Sequence, residues 1–116
     1  MEFVKVSRLV NFSHALSPAA RARLEEMVGP VLEVVIPCQI DMDAPIKPQL
    51  DMLVDQAGNS VPDLYIPPAL SFAAAYVTAK LSYAQSDAML PVPPAMVVLR
   101  REGTPPQFMP VEILRG

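Results

Sequence analysis

The stretch LVNFSHALSP, Leu9–Pro18, carries the chain from a first strand into a first helix. Its apolar start predicts a strand over residues 9–12, which could extend back to Phe3. Ser17 is a preferred N-cap residue, and Pro18 fits the first helical position because its missing N–H needs no partner there. Between strand and helix lie an amide, a hydroxyl and the only histidine of the chain. This grouping raises the question of what the loop binds.

The next elements follow from apolar spacing. Helix one begins at Pro18 and ends at Gly29–Pro30, a C′ glycine followed by a residue that cannot continue the helix. The run VLEVVIP (31–37) is short and β-branched, and it predicts strand two. Helix two is predicted over residues 46–57 and ends at Gly58. The expected buried positions are Ala20, Leu24, Met27 and Val28 in helix one and Ile46, Leu50, Leu53, Val54 and Ala57 in helix two.

The second half of the chain repeats the alternation once and then closes with two strands. DLYIP (63–67) predicts a brief third strand, and helix three is expected from Ser71 to about Gln85. We expect that helix to place Phe72, Ala75, Tyr76 and Ala79 on one side. AMVVLR (95–100), the turn EGTPP (102–106) and QFMPVEILR (107–115) together predict a C-terminal hairpin.

The resulting order, β-α-β-α-β-α-β-β, predicts an α/β fold with an open, mostly parallel, Rossmann-like sheet in one domain over residues 1–116. The expected strand order is 2-1-3-4-5. Pro110 falls inside the last strand and indicates an edge position, because proline cannot donate to a ladder.

This strand order creates a switch point between strands one and three, where the outgoing loops diverge and leave a crevice. Asn11, Ser13 and His14 are expected at its mouth, beside Pro67, Pro68 and the start of helix three at Ser71. Backbone N–H groups and the helix dipole favour an anion there. The same residues are also common turn formers and caps, and that alternative stays open.

Composition narrows the classes of function. The chain has 116 residues, 52% of them hydrophobic, with a formal net charge of -3, which disfavours binding to long nucleic acid. No signal-peptide pattern or membrane span is evident, and Cys38 is a single cysteine, so we expect a cytoplasmic protein without disulfides. No dinucleotide or P-loop fingerprint occurs, so no cofactor is expected. Asp41 and Asp43 could suggest a metal pair, but capping of helix two is favoured and no metal is expected.

Four ordered motifs resemble one known family. LVNFSHALSP at the first junction, VVIPCQIDMDAPIKPQLDMLVDQAG across the second unit, IPPALSFAAA at the third and the closing EILR look like a small family of CRISPR-associated accessory proteins of type III systems. The resemblance is to its single-domain members with the Asn-Phe-Ser-His motif and covers nearly the whole chain from Leu9. PALS stands where more glycine-rich forms are expected.

The resemblance implies a fold like that of CRISPR-associated Rossmann-type (CARF) domains, working as a homodimer on cyclic oligoadenylate second messengers. A symmetric dimer could present the same loops to opposite halves of a cyclic tetra-adenylate. Phe12 or Tyr65 would stack on adenine, and the Asn11 amide would contact it. The residues expected to bind ligand are Asn11, Phe12, Ser13, His14, Gln39, Pro68, Ala69, Ser71 and Arg100; Arg101 and Lys80 are further candidates for phosphate.

Binding and cleavage remain alternatives at this point. The favoured hypothesis is a protein that sequesters the messenger, as a homodimer or a higher assembly with ligand. A metal-independent ring nuclease would use His14 and Ser13, with His14 as acid or base. A flavodoxin-like nucleotide module unrelated to CRISPR is a further alternative, and a plain dimeric scaffold is the last.

Overall fold

A computed structural model describes residues 5–57, 62–87 and 94–115, with the side chains of the third helix described up to Ser82. Strands and helices alternate until the final hairpin. The elements are β1 (Ser7–Asn11), α1 (Pro18–Val28), β2 (Val31–Val35), α2 (Ile46–Gln56), β3 (Leu64–Ile66), α3 (Ser71–Asp87), β4 (Ala95–Glu102) and β5 (Gln107–Leu114).

The strands form one five-stranded sheet in the order β2-β1-β3-β4-β5, which confirms the predicted topology. β1 pairs in parallel with β2 and β3, β3 pairs in parallel with β4, and β4 pairs antiparallel with β5. Pro110 lies on the edge strand β5, as predicted, opposite Leu99 at a shift in the pairing register. The hairpin turn uses Gly103 at φ +86°, a backbone conformation that side-chain-bearing residues rarely adopt.

Two apolar layers cover the two faces of the sheet. Leu9 belongs to the layer that contains Leu24 of α1, whereas Val10 belongs to the layer under α2 and α3. Both β1 residues are fully buried, as expected of a central parallel strand that is covered on both sides. The sheet thereby fixes the loops that leave the carboxyl ends of β1 and β3.

The ends of α1 form as the sequence predicts. The Ser17 side chain accepts a hydrogen bond from the Ala20 N–H, and Pro18 is the first helical residue. Gly29 ends the helix at φ 84°, and its N–H donates to the Glu25 carbonyl. The expected inward face is right for Ala20 and Leu24, whereas Met27 is 40% exposed.

The predicted face of α2 is confirmed; in α3 the side that carries Phe72, Ala75, Tyr76 and Ala79 is mostly exposed, with only Tyr76 packed against the core. Leu50, Leu53 and Ala57 are buried, with Ile46 and Val54 packed against the same layer. In α3 the buried positions are Ala73, Val77 and Leu81, and Phe72, Ala75 and Ala79 are exposed. Large residues occur on two faces of this alanine-rich helix, so size alone did not reveal which face is inward.

Two expectations lie outside the described residues: the extension of the first strand to Phe3 and the end of α2 at Gly58. The described part of the first strand runs from Ser7 to Asn11. Within the described ranges, no helix has both the length and the apolar character needed to cross a membrane.

Candidate functional site at the switch point

Two adjoining cavities open at the carboxyl ends of β1 and β3. The hairpin cavity, of about 650 Å³, lies between the β1–α1 loop, the β3–α3 loop and the β4–β5 hairpin. The strand-two cavity, of about 340 Å³, lies between the β1–α1 loop and the segment that follows β2. Ser13, His14, Ala15 and Ala69 line both cavities. The crevice predicted at the switch point is therefore present, and it has two compartments.

Ser13 and His14 lie at the junction of the compartments. His14 is exposed, and Ser13 is half-buried. Within the described chain, the ring of His14 has no hydrogen-bond partner. The two residues that sequence reasoning placed at the crevice mouth are thus available to a ligand.

Asn11 has a different role from the predicted one. Its side chain is fully buried, and both ends of the amide bind within the protein. Nδ2 donates to the His14 carbonyl at 2.7 Å and to Glu33 Oε2 at 2.9 Å, and Oδ1 accepts from the Ser13 N–H at 2.9 Å. Asn11 therefore holds the loop in shape and has no exposed group for a ligand.

Glu33 is the partner that sequence reasoning missed. Its Oε2 accepts from Asn11 Nδ2 and, at 3.0 Å, from the Leu16 N–H. One carboxylate oxygen thus joins both ends of the loop that lines the two cavities. The available signal was the single charged residue within the apolar run VLEVV, since a carboxylate in such a strand usually has a partner.

The predicted stacking residues are wrong. Phe12 is fully buried and Tyr65 is 5% exposed, and both belong to the apolar layer beneath α2 and α3. Phe12 lies two residues after Val10, and alternate side chains of a strand share a face. Its ring continues the core beyond the last paired residue of β1. Phe12 reaches the wall of the strand-two cavity, but with no solvent-exposed surface it has no face on which a base could stack.

The start of α3 lies beside the crevice, although Ser71 does not line either cavity. Leu70 lines the strand-two cavity and precedes the first helical residue, Ser71. The first intrahelical bond here runs from the Ala74 N–H to the Leu70 carbonyl. Among the described residues, the N–H groups of Ser71, Phe72 and Ala73 donate no hydrogen bond to another protein group. Such N–H groups favour an anion.

The remaining predicted ligand residues divide into two groups. Ala69 lines both cavities and Gln39 lines the strand-two cavity, where its side chain is exposed. Pro68 is buried outside both linings. Arg100 lines neither cavity; it lies on the exposed hairpin, where its guanidinium binds Glu102 at 2.9 Å.

The other candidate cations also lie outside the crevice. Lys80 lies over the Tyr76 ring, with Nζ 5.4 Å from its centroid, and Arg101 is exposed on β4. No Lys, Arg, Asp or Glu occurs among the lining residues of either cavity. A phosphate bound there would depend on N–H groups, hydroxyls and His14.

The loop after β2 is shaped by local hydrogen bonds. Asp41 Oδ1 accepts from the Asp43 N–H at 2.9 Å, and Gln49 of α2 binds the Asp41 backbone through two bonds. Within the described residues, no group of three or more His, Cys, Asp or Glu side chains could hold a metal ion. Cys38 is half-buried against the apolar layer, and burial raises the pKa of its thiol, so it resembles a small core residue.

The hairpin tip supplies a wall that sequence reasoning did not assign to the site. Gln107 and Phe108 line the hairpin cavity. Ser17 Oγ donates to Gln107 Oε1 at 2.9 Å, and Arg23 binds Glu102 at 2.9 Å. These two contacts attach the hairpin tip to α1. They join residues about 80–90 positions apart, and no local sequence pattern reports them.

Comparison with models of protein families, with curated proteins and with solved structures finds no match to this chain.

Proposed function

We propose that the protein binds a cyclic oligoadenylate, with cyclic tetra-adenylate as the first expectation, and sequesters it, thereby damping type III CRISPR antiviral signalling. The observation that carries the proposal is the pair of adjoining cavities at the switch point, joined at Ser13, His14, Ala15 and Ala69. The resemblance of the loop motifs to the CRISPR-associated family supplies the ligand class.

The two compartments suit the two chemical parts of a nucleotide. The hairpin cavity has mostly apolar walls, including Leu16, Ile66 and Leu99, and fits a planar base. The strand-two cavity lies beside the first turn of α3, whose N–H groups favour a phosphate. A cyclic tetra-adenylate repeats this unit around its ring.

We propose that the binding unit is a homodimer. A ring of four nucleotides is large for the loops of one small domain. A twofold pair of crevices would present equivalent groups to opposite halves of the ring. Light scattering should report twice the mass of the 12.6 kDa chain, and a monomer both with and without ligand contradicts this part of the proposal.

Sequestration is favoured over cleavage by the surroundings of His14. A general base is usually oriented by a second group, and the His14 ring has no such partner among the described residues. No other titratable side chain lines either cavity except the Cys38 thiol, whose raised pKa disfavours the reactive thiolate. A ring nuclease is therefore the second candidate.

The test uses radiolabelled cyclic tri-, tetra- and hexa-adenylate with purified protein. Native gels report binding, and denaturing gels of the same samples report cleavage. We expect a shift at submicromolar protein with the tetra-adenylate and an unchanged ring after hours of incubation. Linear oligoadenylate of equal length is the control ligand. Absence of a shift with every ring contradicts the proposal and favours a nucleotide module unrelated to CRISPR; linear product identifies the nuclease.

Two variants separate binding from cutting. Ser13→Ala and His14→Ala should each weaken ring binding by about 1.5–3 kcal/mol, the usual loss for a hydrogen bond to a charged group. Ser82→Ala, an exposed serine of α3 outside both cavities, is the matched control. If His14→Ala instead leaves affinity intact and slows single-turnover cleavage by about a hundredfold, the nuclease is correct.

A further inference from the structure

Phe108 is an aromatic residue in an unusual place. Its side chain is 62% exposed, although it lies in a regular strand and lines the hairpin cavity. Phe12 and Tyr65, the two aromatic residues predicted to stack on a base, are buried in the core. An exposed ring at the rim of an apolar cavity has a face available for a planar ligand.

The neighbouring Gln107 has its amide held in one orientation. Ser17 Oγ accepts from the Ala20 N–H at 3.1 Å and donates to Gln107 Oε1 at 2.9 Å. Oε1 keeps a second lone pair, because a carbonyl oxygen has two. Within the described part of the chain, Nε2 donates no hydrogen bond to another protein group. The amide can therefore offer one acceptor and one donor side by side at the cavity.

We propose that the hairpin cavity is an adenine subsite, in which the base stacks on Phe108 and its edge is read by the Gln107 amide. This inference rests on the proposed function for the identity of the whole ligand. Adenine presents the N6 amino donor beside the N7 acceptor, which matches Oε1 and Nε2 of a glutamine. Guanine presents two acceptors there, so its O6 would face Oε1.

The hairpin tip that carries Gln107 and Phe108 is attached to α1 in the protein without ligand. The Ser17–Gln107 bond and the Arg23–Glu102 ion pair attach the hairpin tip to α1. Leu16 and Leu99 contribute further apolar surface to the lining of the same cavity. A fixed aromatic surface loses little conformational freedom on binding, and base–aromatic stacking tolerates the absence of cationic side chains.

The first experiment uses Phe108→Trp as a reporter, because the chain has no tryptophan. The variant keeps a stacking surface and introduces a single indole at the proposed contact. Adenosine monophosphate should quench the indole fluorescence of this variant. Guanosine monophosphate should need a several-fold higher concentration to quench it to the same extent. Met52→Trp is the matched control, since Met52 is a 59% exposed residue of α2 that lines neither cavity; its fluorescence should not change.

The second experiment measures cyclic tetra-adenylate binding by calorimetry. Phe108→Ala should weaken affinity roughly 5- to 140-fold, the equivalent of about 1–3 kcal/mol per stacked base. Gln107→Glu keeps the acceptor for Ser17 and removes the donor, so it should reduce the preference for adenine over guanine nucleotides. Circular dichroism checks that both variants fold, which is expected because both side chains are exposed.

The outcomes separate this inference from the proposed function. Quenching by adenosine monophosphate without binding of any ring supports the adenine subsite and contradicts the proposed function. Ring binding that is equal in wild type and Phe108→Ala, without quenching of Phe108→Trp, overturns the subsite and leaves the proposed function standing. If neither fluorescence quenching nor binding of any cyclic oligoadenylate is observed, both the adenine subsite and the proposed function are overturned. If Phe108→Ala changes only the molecular mass of the protein in light scattering, the Phe108 side chain is a contact between subunits and the inference is wrong.

Discussion

Removal of the Glu33 carboxylate should destabilise the protein more than any exposed carboxylate does. In Glu33→Ala, the buried Asn11 amide loses one of its two acceptors, and the Leu16 N–H loses its acceptor. A buried donor left without a partner costs about 1–3 kcal/mol. Leu16 is half-buried, so water can accept from its N–H and offset part of the loss of the bond to Glu33. We expect a total loss of about 2–4 kcal/mol from the free energy of unfolding.

That loss is a large share of the stability of an ordinary domain, which is about 5–15 kcal/mol. Urea unfolding followed by far-ultraviolet circular dichroism should show a midpoint lowered by roughly 1–2 M. Glu112→Ala is the matched control, because Glu112 is an exposed glutamate on the other edge strand, β5. Its midpoint should remain within the scatter of repeated wild-type measurements.

Glu33→Gln distinguishes the hydrogen bonds from the charge. The same oxygen, Oε2, accepts both bonds, so the carbonyl oxygen of a glutamine can accept both as well. We expect a loss of about 1 kcal/mol, since neutral acceptors are weaker than charged ones. The reasoning is refuted if Glu33→Ala unfolds within about 0.5 kcal/mol of Glu112→Ala, the usual range for neutral surface changes.

Three further predictions concern packing, a helix pair and pH. Leu24→Ala should cost about 2–5 kcal/mol in urea unfolding and Met27→Ala under about 0.5 kcal/mol, because only the first is fully buried; equal losses would contradict the assigned face of α1. Tyr76→Phe should cost about 1 kcal/mol, since the hydroxyl of Tyr76 donates to Asp51 and joins α3 to α2; an unchanged midpoint would exclude that role. The hydrogen bond from Arg23 lowers the pKa of Glu102 below its ordinary value of 4.5, so the stabilisation from this carboxylate is present above about pH 4.5 and lost as pH falls further. Glu102→Gln should weaken the pH dependence of thermal unfolding below about pH 4.5, and identical slopes would contradict this.

The topology could be predicted because its signals are local. Ser17 and Pro18 mark one helix start, Gly29 marks its end, and the α2 stripe has a single clear face. Each predicted crossover then returns with a fixed hand, which leaves few possible strand orders. Helix α3 was harder, because Phe72 and Val77 lie on different faces of an alanine-rich segment and only packing decides between them.

The candidate site was predicted in place but not in detail. Ser13 and His14 were found because strand ends at a switch point are exposed. Phe12 was predicted to stack on adenine, although it ends the predicted strand over residues 9–12 and its spacing from Val10 puts it on the core face. Glu33 and Gln107 act through contacts with Asn11 and Ser17, which lie 22 and 90 residues away in sequence. No window of local sequence contains such pairs.

The cavity linings lead to a final prediction about salt. When a protein neutralises the phosphates of a single strand with Lys or Arg, log K falls with log salt concentration by about 0.7 per phosphate, or roughly 3 for four phosphates. No Lys or Arg lines either cavity; of the cations predicted to meet phosphate, Arg100 and Lys80 contact other side chains, and Arg101 is exposed on β4 outside both linings. Stacking and N–H contacts release few counterions. We therefore expect a slope no steeper than about -1 for cyclic tetra-adenylate, measured by calorimetry from low to high salt. A slope near -3 would mean that cations from outside the two cavities hold the ring, and it would refute binding through these linings.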